Sequence, residues 1–145
     1  MTTSPNAPYW HIWTDDKGVS HQLRCQFDRF TWQGVGGAAP QWNLPLPPSE
    51  ASVVFTVQPV GWIGEWHENP APQWIVVLSG RWFIESMDGT RIEQGAGEFS
   101  LGEDQGCVPR DGKRGHRSGT VGTAPAVLMC VQRLGEPADA SGPAR

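Results

Sequence analysis

Apolar and polar residues alternate along short segments of this chain, and turn residues interrupt them at close intervals. Residues 9–14 and 19–27 form the first pair of such segments, and the turn sequence between them, residues 15–18, predicts a β-hairpin. Further strands are predicted at 53–60, 74–78, 81–87, 98–101, 115–118 and 126–133. Long windows free of Gly and Pro are absent, so the pattern predicts an all-β sandwich or barrel.

The alternation in residues 19–27 places His21 on the apolar side of its strand, together with Val19, Leu23, Cys25 and Phe27. Edge strands of this hydrophobicity are seldom left exposed. We therefore expect this face to be buried, either in the barrel or against a second subunit. Whether His21 reaches the barrel interior stays open at this point.

Three segments lack the pattern of a strand. Residues 1–8 are polar and are predicted to be a flexible N-terminus, and residues 135–145 have few large apolar side chains and are predicted to be a disordered tail. Residues 33–49 are rich in Gly and Pro and favour an ordered strap across the barrel. The remainder, 9–134, is predicted to form a single domain.

Composition and charge narrow the class of protein. The three cysteines are odd in number and widely spaced, and no apolar signal segment follows Met1, which favours a reducing cytoplasm. The longest apolar run, 74–78, is far shorter than the ~20 residues of a membrane helix. The formal charge of −4 disfavours nucleic acid as a ligand. We therefore expect a soluble, cytoplasmic protein without membrane or nucleic-acid partners.

The most informative segment runs from Gly61 to Gly80. After Gly61 come five residues and His67, one residue and Asn69, three residues and Gln73, and six residues before Gly80. A His and the residue two positions later on an extended backbone point to the same side, and a following strand can return a third side chain to the same depth. The spacing therefore predicts a cluster of polar side chains in one cavity.

This spacing resembles the first motif of the cupin family at every position. A second, looser cupin motif resembles the segment from Gly102 to His116, which contains Pro109 and Gly112 but is longer than the usual pattern. The resemblance covers roughly residues 10–133 and includes small bacterial single-domain cupins that carry Gln at the Glu position. It implies a double-stranded β-helix, or jelly-roll barrel, of two antiparallel sheets. It also implies an enzyme of bacterial secondary or peripheral metabolism.

In metal-binding cupins the resemblance implies three His and one carboxylate around a divalent metal. Here Asn69 replaces the second His and Gln73 replaces the Glu. Three interpretations remain open. In the first, His67, Gln73 and His116 form a weakened site for iron, zinc, manganese or nickel. In the second, the site is metal-free, the two histidines act as acid and base, and Gln73 or Asn69 polarises a substrate carbonyl. In the third, the cavity only binds a small molecule, as in a sensor.

Aromatic and aliphatic residues around the motif are candidates for the walls of a substrate cavity, and with Asn69 they give an apolar or aromatic substrate site. These candidates are Trp62, Trp66, Ile75, Val77 and Phe83. Because two strong metal ligands are missing, non-redox cyclisation, isomerisation or elimination is favoured, with a metal-dependent dioxygenase as the alternative. We also expect a homodimer, and we expect Glu103 and Asp104 to lie on a solvated turn.

Overall fold

The computed structural model of the chain describes residues 3–135, which contain eleven β-strands and no helix. Accordingly, no helix long and apolar enough to cross a membrane occurs in this range. In chain order the strands are β1 (Ala7–Thr14), β2 (Ser20–Phe27), β3 (Thr31–Gln33), β4 (Gln41–Asn43), β5 (Glu50–Gln58), β6 (Gln73–Ser79), β7 (Arg81–Ser86), β8 (Arg91–Gly95), β9 (Phe99–Glu103), β10 (His116–Val121) and β11 (Ala126–Leu134).

The strands form two main sheets. The larger sheet has the order β2-β1-β9-β6-β11-β5, and the smaller sheet has the order β10-β7-β8. Residues 61–67 run beside β10 through two isolated bridges, Ile63 to Gly119 and His67 to His116, and thus extend the smaller sheet. β3 and β4 form a short ribbon, which the sequence did not predict; β4 lies within the strap, and β3 ends where the strap begins.

The pairing of the strands from β5 onward is nested. β5 pairs with β11, residues 61–67 with β10, β6 with β9, and β7 with β8. A long hairpin rolled into two facing sheets has this order, and it is the jelly roll. The predicted all-β jelly-roll barrel is therefore confirmed.

One detail of the fold prediction is wrong. β1 pairs with β9 in parallel, so the larger sheet is mixed and not wholly antiparallel. A hairpin turn fixes the direction of a neighbouring strand, but β1 and β9 are joined through most of the chain, and nothing in their local sequence sets their relative direction.

The inner faces of the two sheets meet in one apolar core, to which Trp10 packs from β1. The core consists of Ile12, Ile75, Val77, Trp82, Ile84, Ile92, Ala126, Leu128 and Cys130. Alternation along β6 sends Gln73, Ile75 and Val77 inward, at successively greater depth. Gln73 thus enters the barrel at the end where β6 begins, above the apolar core.

The predicted hairpin of β1 and β2 is confirmed, but the apolar face of β2 does not point into the barrel, so its burial against a second subunit stays a prediction. Ser20 and Gln22 are buried, while Leu23 is 48% exposed. Ser20 Oγ donates to a backbone carbonyl at 2.6 Å, and Gln22 Nε2 donates to two others at 2.9 and 3.2 Å. Because these polar groups find partners inside, the apolar face of β2 is turned outward.

His21 belongs to that outer face and does not line the central cavity. Its Nε2 lies 2.7 Å from Asp15 Oδ2, its Nδ1 lies 3.0 Å from Asp88 Oδ2, and its ring stacks on Trp13. His21 therefore connects the β1–β2 turn to the β7–β8 turn.

Other predicted boundaries shift by a few residues, and β8 was missed because its five residues lie between two turn signals. β1 begins at Ala7, inside the segment predicted to be flexible. Except for Gly135, the tail predicted to be disordered lies outside the described residues.

Candidate functional site

His67 and His116 lie directly opposite each other where the two motif segments meet. Each donates its backbone N–H to the carbonyl oxygen of the other, at 2.9 Å in both directions. Residues paired in this way in an antiparallel ladder project their side chains to the same face. The two imidazole centroids are accordingly 4.6 Å apart. His116 is only 4% exposed, whereas His67 is exposed at the mouth of the barrel.

A cavity of about 170 Å³ opens inside the barrel beside this pair. Its lining residues are Thr56, Gln58, Trp62, His67, Asn69, Gln73, Ile75, Trp82, His116, Ser118, Leu128 and Cys130. The structure thus brings together His67, Gln73 and His116, as the motif spacing predicts. Their catalytic or ligand role stays a prediction.

A buried carboxylate, Asp104, organises the polar side of this cavity. Asp104 is fully buried, and its Oδ2 lies 2.6 Å from Nδ1 of His116. Its Oδ1 accepts two hydrogen bonds from Asn69, one from the backbone N–H and one from Nδ2, both at 2.8 Å. Burial raises the pKa of Asp104, but the charge on His116 and these hydrogen bonds outweigh burial and lower it below its ordinary value. Asp104 is therefore an anion inside the barrel.

Asn69 connects Asp104 to Gln73 by hydrogen bonds and so fixes the orientation of the Gln73 amide. Asn69 Nδ2 donates a hydrogen bond to Asp104, and Asn69 Oδ1 accepts one of 2.6 Å from Gln73 Nε2. Gln73 Oε1 is buried and has no hydrogen-bond partner among the described residues. Gly102 provides the space for the Asn69 side chain, because a Cβ at Gly102 would lie 2.4 Å from Asn69 Nδ2.

Hydrogen bonding also fixes which nitrogen of each histidine carries its hydrogen. His67 Nδ1 lies 2.7 Å from the backbone carbonyl of Glu65, which can only accept, so Nδ1 holds the hydrogen. His116 Nδ1 faces the Asp104 carboxylate and holds the hydrogen for the same reason. Whenever either ring is neutral, its Nε2 is therefore the nitrogen that has the lone pair.

The central cavity adjoins an outer groove of about 540 Å³, and His67 and Asn69 line both. The groove is otherwise lined by Trp66, Glu68, Pro70, Gln105, Gly106 and Arg114. Arg114 pairs with Glu68 at 3.0 Å, and Lys113 and Arg117 lie near the ring of Trp66. His67 therefore stands between a small inner cavity and a wider, charged entrance.

Comparison with known proteins gives a likeness to solved structures only. A Salmonella typhimurium LT2 protein named for ethanolamine utilization (protein Q) matches with 17% identity and a TM-score of 0.42, over 93% of this chain and 99% of its own. A cupin 2 conserved barrel domain protein from Leptotrichia buccalis matches with 10% identity and a TM-score of 0.42, over 92% and 80%. No protein-family model and no curated protein matches the chain.

The nested strand order and the meeting of the two motif segments decide the fold. The chain has the jelly-roll fold that cupin barrels also have. Its substrate and reaction are not given by this fold, because one fold hosts many chemistries and function has to be argued from the site.

The structure places the predicted wall residues in different surroundings. Trp62 and Ile75 line the inner cavity together with Asn69. Trp66 precedes His67 on an extended segment, so it points to the other side and lines the outer groove. Val77 shares the face of Ile75 but lies deeper and belongs to the core. Phe83, also outside the cavity lining, is buried with the Arg91 guanidinium 4.1 Å from its ring centroid.

Several polar residues of the site escaped the sequence analysis, among them Asp104 and Gln58. Asp104 was expected on a solvated turn with Glu103, but both are buried. Glu103 binds His11, with 2.8 Å between its Oε1 and His11 Nε2, away from the cavity. Gln58, at the end of β5, lines the cavity, and its side-chain oxygen Oε1 is buried without a partner among the described residues. No local pattern marks Gln58 or Asp104, because their partners lie on distant strands.

The donor set of the cavity suits a divalent metal only in part. His67 Nε2, His116 Nε2 and Gln73 Oε1 could serve as three neutral ligands, and Asp104 would orient His116 from behind. No anionic ligand accompanies them: Asp104 is engaged with His116 and Asn69, and burial raises the pKa of the Cys130 thiol and keeps it neutral. Within residues 3–135 no group of three or more His, Cys, Asp or Glu could hold a metal ion.

Proposed function

We propose that this protein is a small-molecule enzyme that catalyses a non-redox proton transfer, as in isomerisation, cyclisation or elimination. The observation that carries the proposal is the buried Asp104–His116 pair, with His67 facing it at 4.6 Å between ring centroids. A carboxylate behind Nδ1 holds an imidazole in the tautomer that accepts a proton at Nε2, and it stabilises the imidazolium that results. This arrangement is that of a general base.

The two histidines have different parts in the proposed mechanism. His116, buried and held by Asp104, removes a proton from the substrate at its Nε2. His67, exposed at the mouth and held through Nδ1 by Glu65, exchanges protons with solvent and, when protonated, donates from Nε2 to the developing negative charge. Neither residue needs to move, because the strand pairing already holds both rings on one face.

The size of the cavity limits which part of the substrate reacts there. At about 170 Å³ the inner cavity is smaller than the ~300–1,000 Å³ of typical sites for drug-sized ligands. We therefore expect the reacting end of the substrate to enter past His67, with Trp62 and Ile75 as apolar walls. The rest of the molecule extends into the outer groove.

Deuterium incorporation tests the proposed function without knowledge of the natural substrate. The chain is incubated in D2O with a panel of small hydroxy- and amino-carbonyl compounds, and exchange at carbon is followed by NMR. We expect wild type to accelerate exchange of at least one compound and His116→Gln to lower that rate by ~10²–10⁴-fold. The control is His11→Gln, which alters a second buried histidine–carboxylate pair outside the cavity. Exchange no faster with wild type than with His116→Gln would overturn the proposal.

A metal-dependent reaction is the second candidate, and the unpartnered Gln73 Oε1 favours it. A divalent ion bound by His67, Gln73 and His116 would supply Lewis-acid chemistry. The three ligands are neutral, so we expect weak metal binding. Titration of the chain with Zn²⁺ or Fe²⁺ by calorimetry tests this candidate, and a site that His67→Ala or His116→Ala does not weaken would contradict it.

The homodimer also stays a proposal. Light scattering of the purified chain gives its mass in solution, and a mass of 15.9 kDa would identify a monomer and contradict the proposal.

A further inference from the structure

We infer that the inner cavity selects ligands by hydrogen-bond polarity: it takes a group that carries N–H or O–H donors, such as an amine, amidine or alcohol, and disfavours a carboxylate. This inference rests on the proposed function in so far as the group bound there is the reacting end of the substrate. It goes further, because neither the fold nor the acid–base assignment states which chemical class fits.

The buried charge of Asp104 sets the direction of the hydrogen bonds around it. Every hydrogen bond to this carboxylate is donated to it: by His116 Nδ1, by the Asn69 backbone N–H and by Asn69 Nδ2. A buried anion in a low-dielectric interior is stable only when donors point at it. The donors of the neighbouring groups are therefore turned toward Asp104, and their acceptors are turned away from it.

This orientation continues to the side chains that line the cavity. His116 Nε2 keeps its lone pair because its Nδ1 hydrogen points at Asp104. Asn69 Oδ1 takes a hydrogen from Gln73 Nε2, which leaves Gln73 Oε1 as an acceptor without a donor. His67 Nε2 is an acceptor as well, because the Glu65 carbonyl takes the Nδ1 hydrogen. Three acceptors from three different segments thus belong to residues of one cavity.

The remaining lining groups include donors as well, the side-chain N–H groups of Gln58 and Trp62, so the polarity is set by the three acceptors named above. The side-chain oxygen of Gln58, Oε1, is a further buried acceptor without a partner among the described residues. The hydroxyls of Ser118 and Thr56 can donate or accept, and Ile75 and Leu128 are apolar. A carboxylate in this cavity would face lone pairs with Asp104 behind them, whereas an N–H donor would satisfy oxygens and nitrogens that are otherwise unpaired.

Three probes of nearly identical shape test this property: acetamidinium, a cation; acetamide, which is neutral; and acetate, an anion. Acetamidinium presents only N–H donors, acetamide presents both donors and an acceptor, and acetate presents only acceptors. Binding is measured by NMR from the imidazole signals of His67 and His116. We expect acetamidinium to bind at least ~10-fold more tightly than acetate, with acetamide between them. Acetate binding as tightly as acetamidinium, or no response of either histidine to acetamidinium, would overturn the inference.

Asp104→Asn tests whether the buried charge sets the polarity. The amide that replaces the carboxylate can donate to His116 Nδ1, which moves the histidine hydrogen to Nε2. We expect long-range ¹H–¹⁵N spectra to show this change of tautomer, and the preference for acetamidinium over acetate to fall by at least ~10-fold. The matched control is Glu103→Gln, which alters a buried carboxylate bound to His11 outside the cavity and should leave the order of the probes unchanged.

An unchanged preference in Asp104→Asn, together with the new tautomer, would overturn the role of Asp104. None of the probes is a substrate, so these outcomes are independent of the deuterium-incorporation assay. The proposed function can fail there while the cavity still selects donors, and the reverse can also occur.

Discussion

At the residue scale, the two histidines of the site differ in their surroundings, and this determines what each contributes to stability. His67 is exposed and is held by one bond to a backbone carbonyl, whereas His116 is buried against a buried carboxylate. Removal of one partner of a buried charged pair leaves the other without compensation. Replacement of His67 should therefore cost little stability, whereas replacement of His116 should cost more.

Replacement of each histidine by Ala should separate these cases. We expect His67→Ala to change the free energy of unfolding by about 1 kcal/mol or less. His116→Ala should lower it by about 3 kcal/mol or more, because Asp104 loses its partner. Urea denaturation of wild type and both variants measures the difference. Equal losses in the two variants would contradict the asymmetry described here.

Gln73→Glu tests the metal candidate at the same scale. The new carboxylate would lie against Asn69 Oδ1, which now accepts from Gln73 Nε2, and would add a second negative charge near Asp104. We expect the metal-free variant to lose about 1–3 kcal/mol of stability. If the cavity is a weakened metal centre, Zn²⁺ should bind the variant more tightly than wild type and restore part of that stability.

Gln94→Glu is the control for this experiment. Gln94 is also buried, but it accepts a hydrogen bond from Trp82 Nε1 and donates one to the Phe99 carbonyl, outside the cavity lining. This variant should be destabilised without a gain in Zn²⁺ affinity. If Zn²⁺ affinity does not rise in Gln73→Glu either, the metal candidate is wrong.

At the element scale, β9 contributes space to the site through a missing side chain. Gly102 pairs with Gln73 across the β6–β9 ladder, and a Cβ at Gly102 would overlap the Asn69 amide. The absence of a side chain on this strand therefore allows Asn69 to reach Asp104 and Gln73 together.

Gly102→Ala should displace Asn69 and break its bonds to Asp104 and Gln73. We expect a loss of about 1–3 kcal/mol, typical of overpacking, and loss of the probe selectivity described above. Ser100→Ala is the matched control on the same strand, because Ser100 Oγ is buried without a partner among the described residues and its removal should be nearly neutral. If Gly102→Ala preserves both stability and selectivity, the proposed role of Asn69 as the link between Asp104 and Gln73 is wrong.

At the scale of the whole molecule, His21 joins the two sheets by bonds to turns at their edges. Asp15 lies in the β1–β2 turn of the larger sheet, and Asp88 lies in the β7–β8 turn of the smaller one. The hydrogen bond with His21 is the largest cause that lowers the pKa of Asp15 to about 2, from an ordinary value of 3.8. The contact thus stabilises the fold when Asp15 is ionised.

The sign of the pH dependence follows from linkage. A pKa lower in the folded than in the unfolded chain gives a stabilisation that is full above 3.8 and is lost as the pH falls through about 2. We expect Asp15→Asn to be less stable than wild type at about pH 6 and the difference to shrink at about pH 2. Asp16→Asn, in the same turn but exposed, should show no such trend. A difference independent of pH would show that ionisation of Asp15 is not its source.

The sequence by itself determined the strand-rich fold and four of the polar residues that line the cavity, one of them, His116, through its resemblance to a second motif. Turn residues punctuate the chain at intervals suited to short strands, and the spacing from Gly61 to Gly80 fixes His67, Asn69 and Gln73 relative to one another. Such information is local, because backbone periodicity within one or two strands decides which side chains share a face.

Only the tertiary structure decided which neighbours those residues have. Asp104 is remote from His116 and Asn69 in the chain and becomes their partner because β9 and β10 lie in facing sheets. For the same reason β2 turns Ser20 and Gln22 inward and leaves Leu23 exposed: the carbonyls that satisfy them belong to distant segments. Burial of a polar group depends on whether a partner is found, and that partner is chosen by strand pairing over long sequence distances.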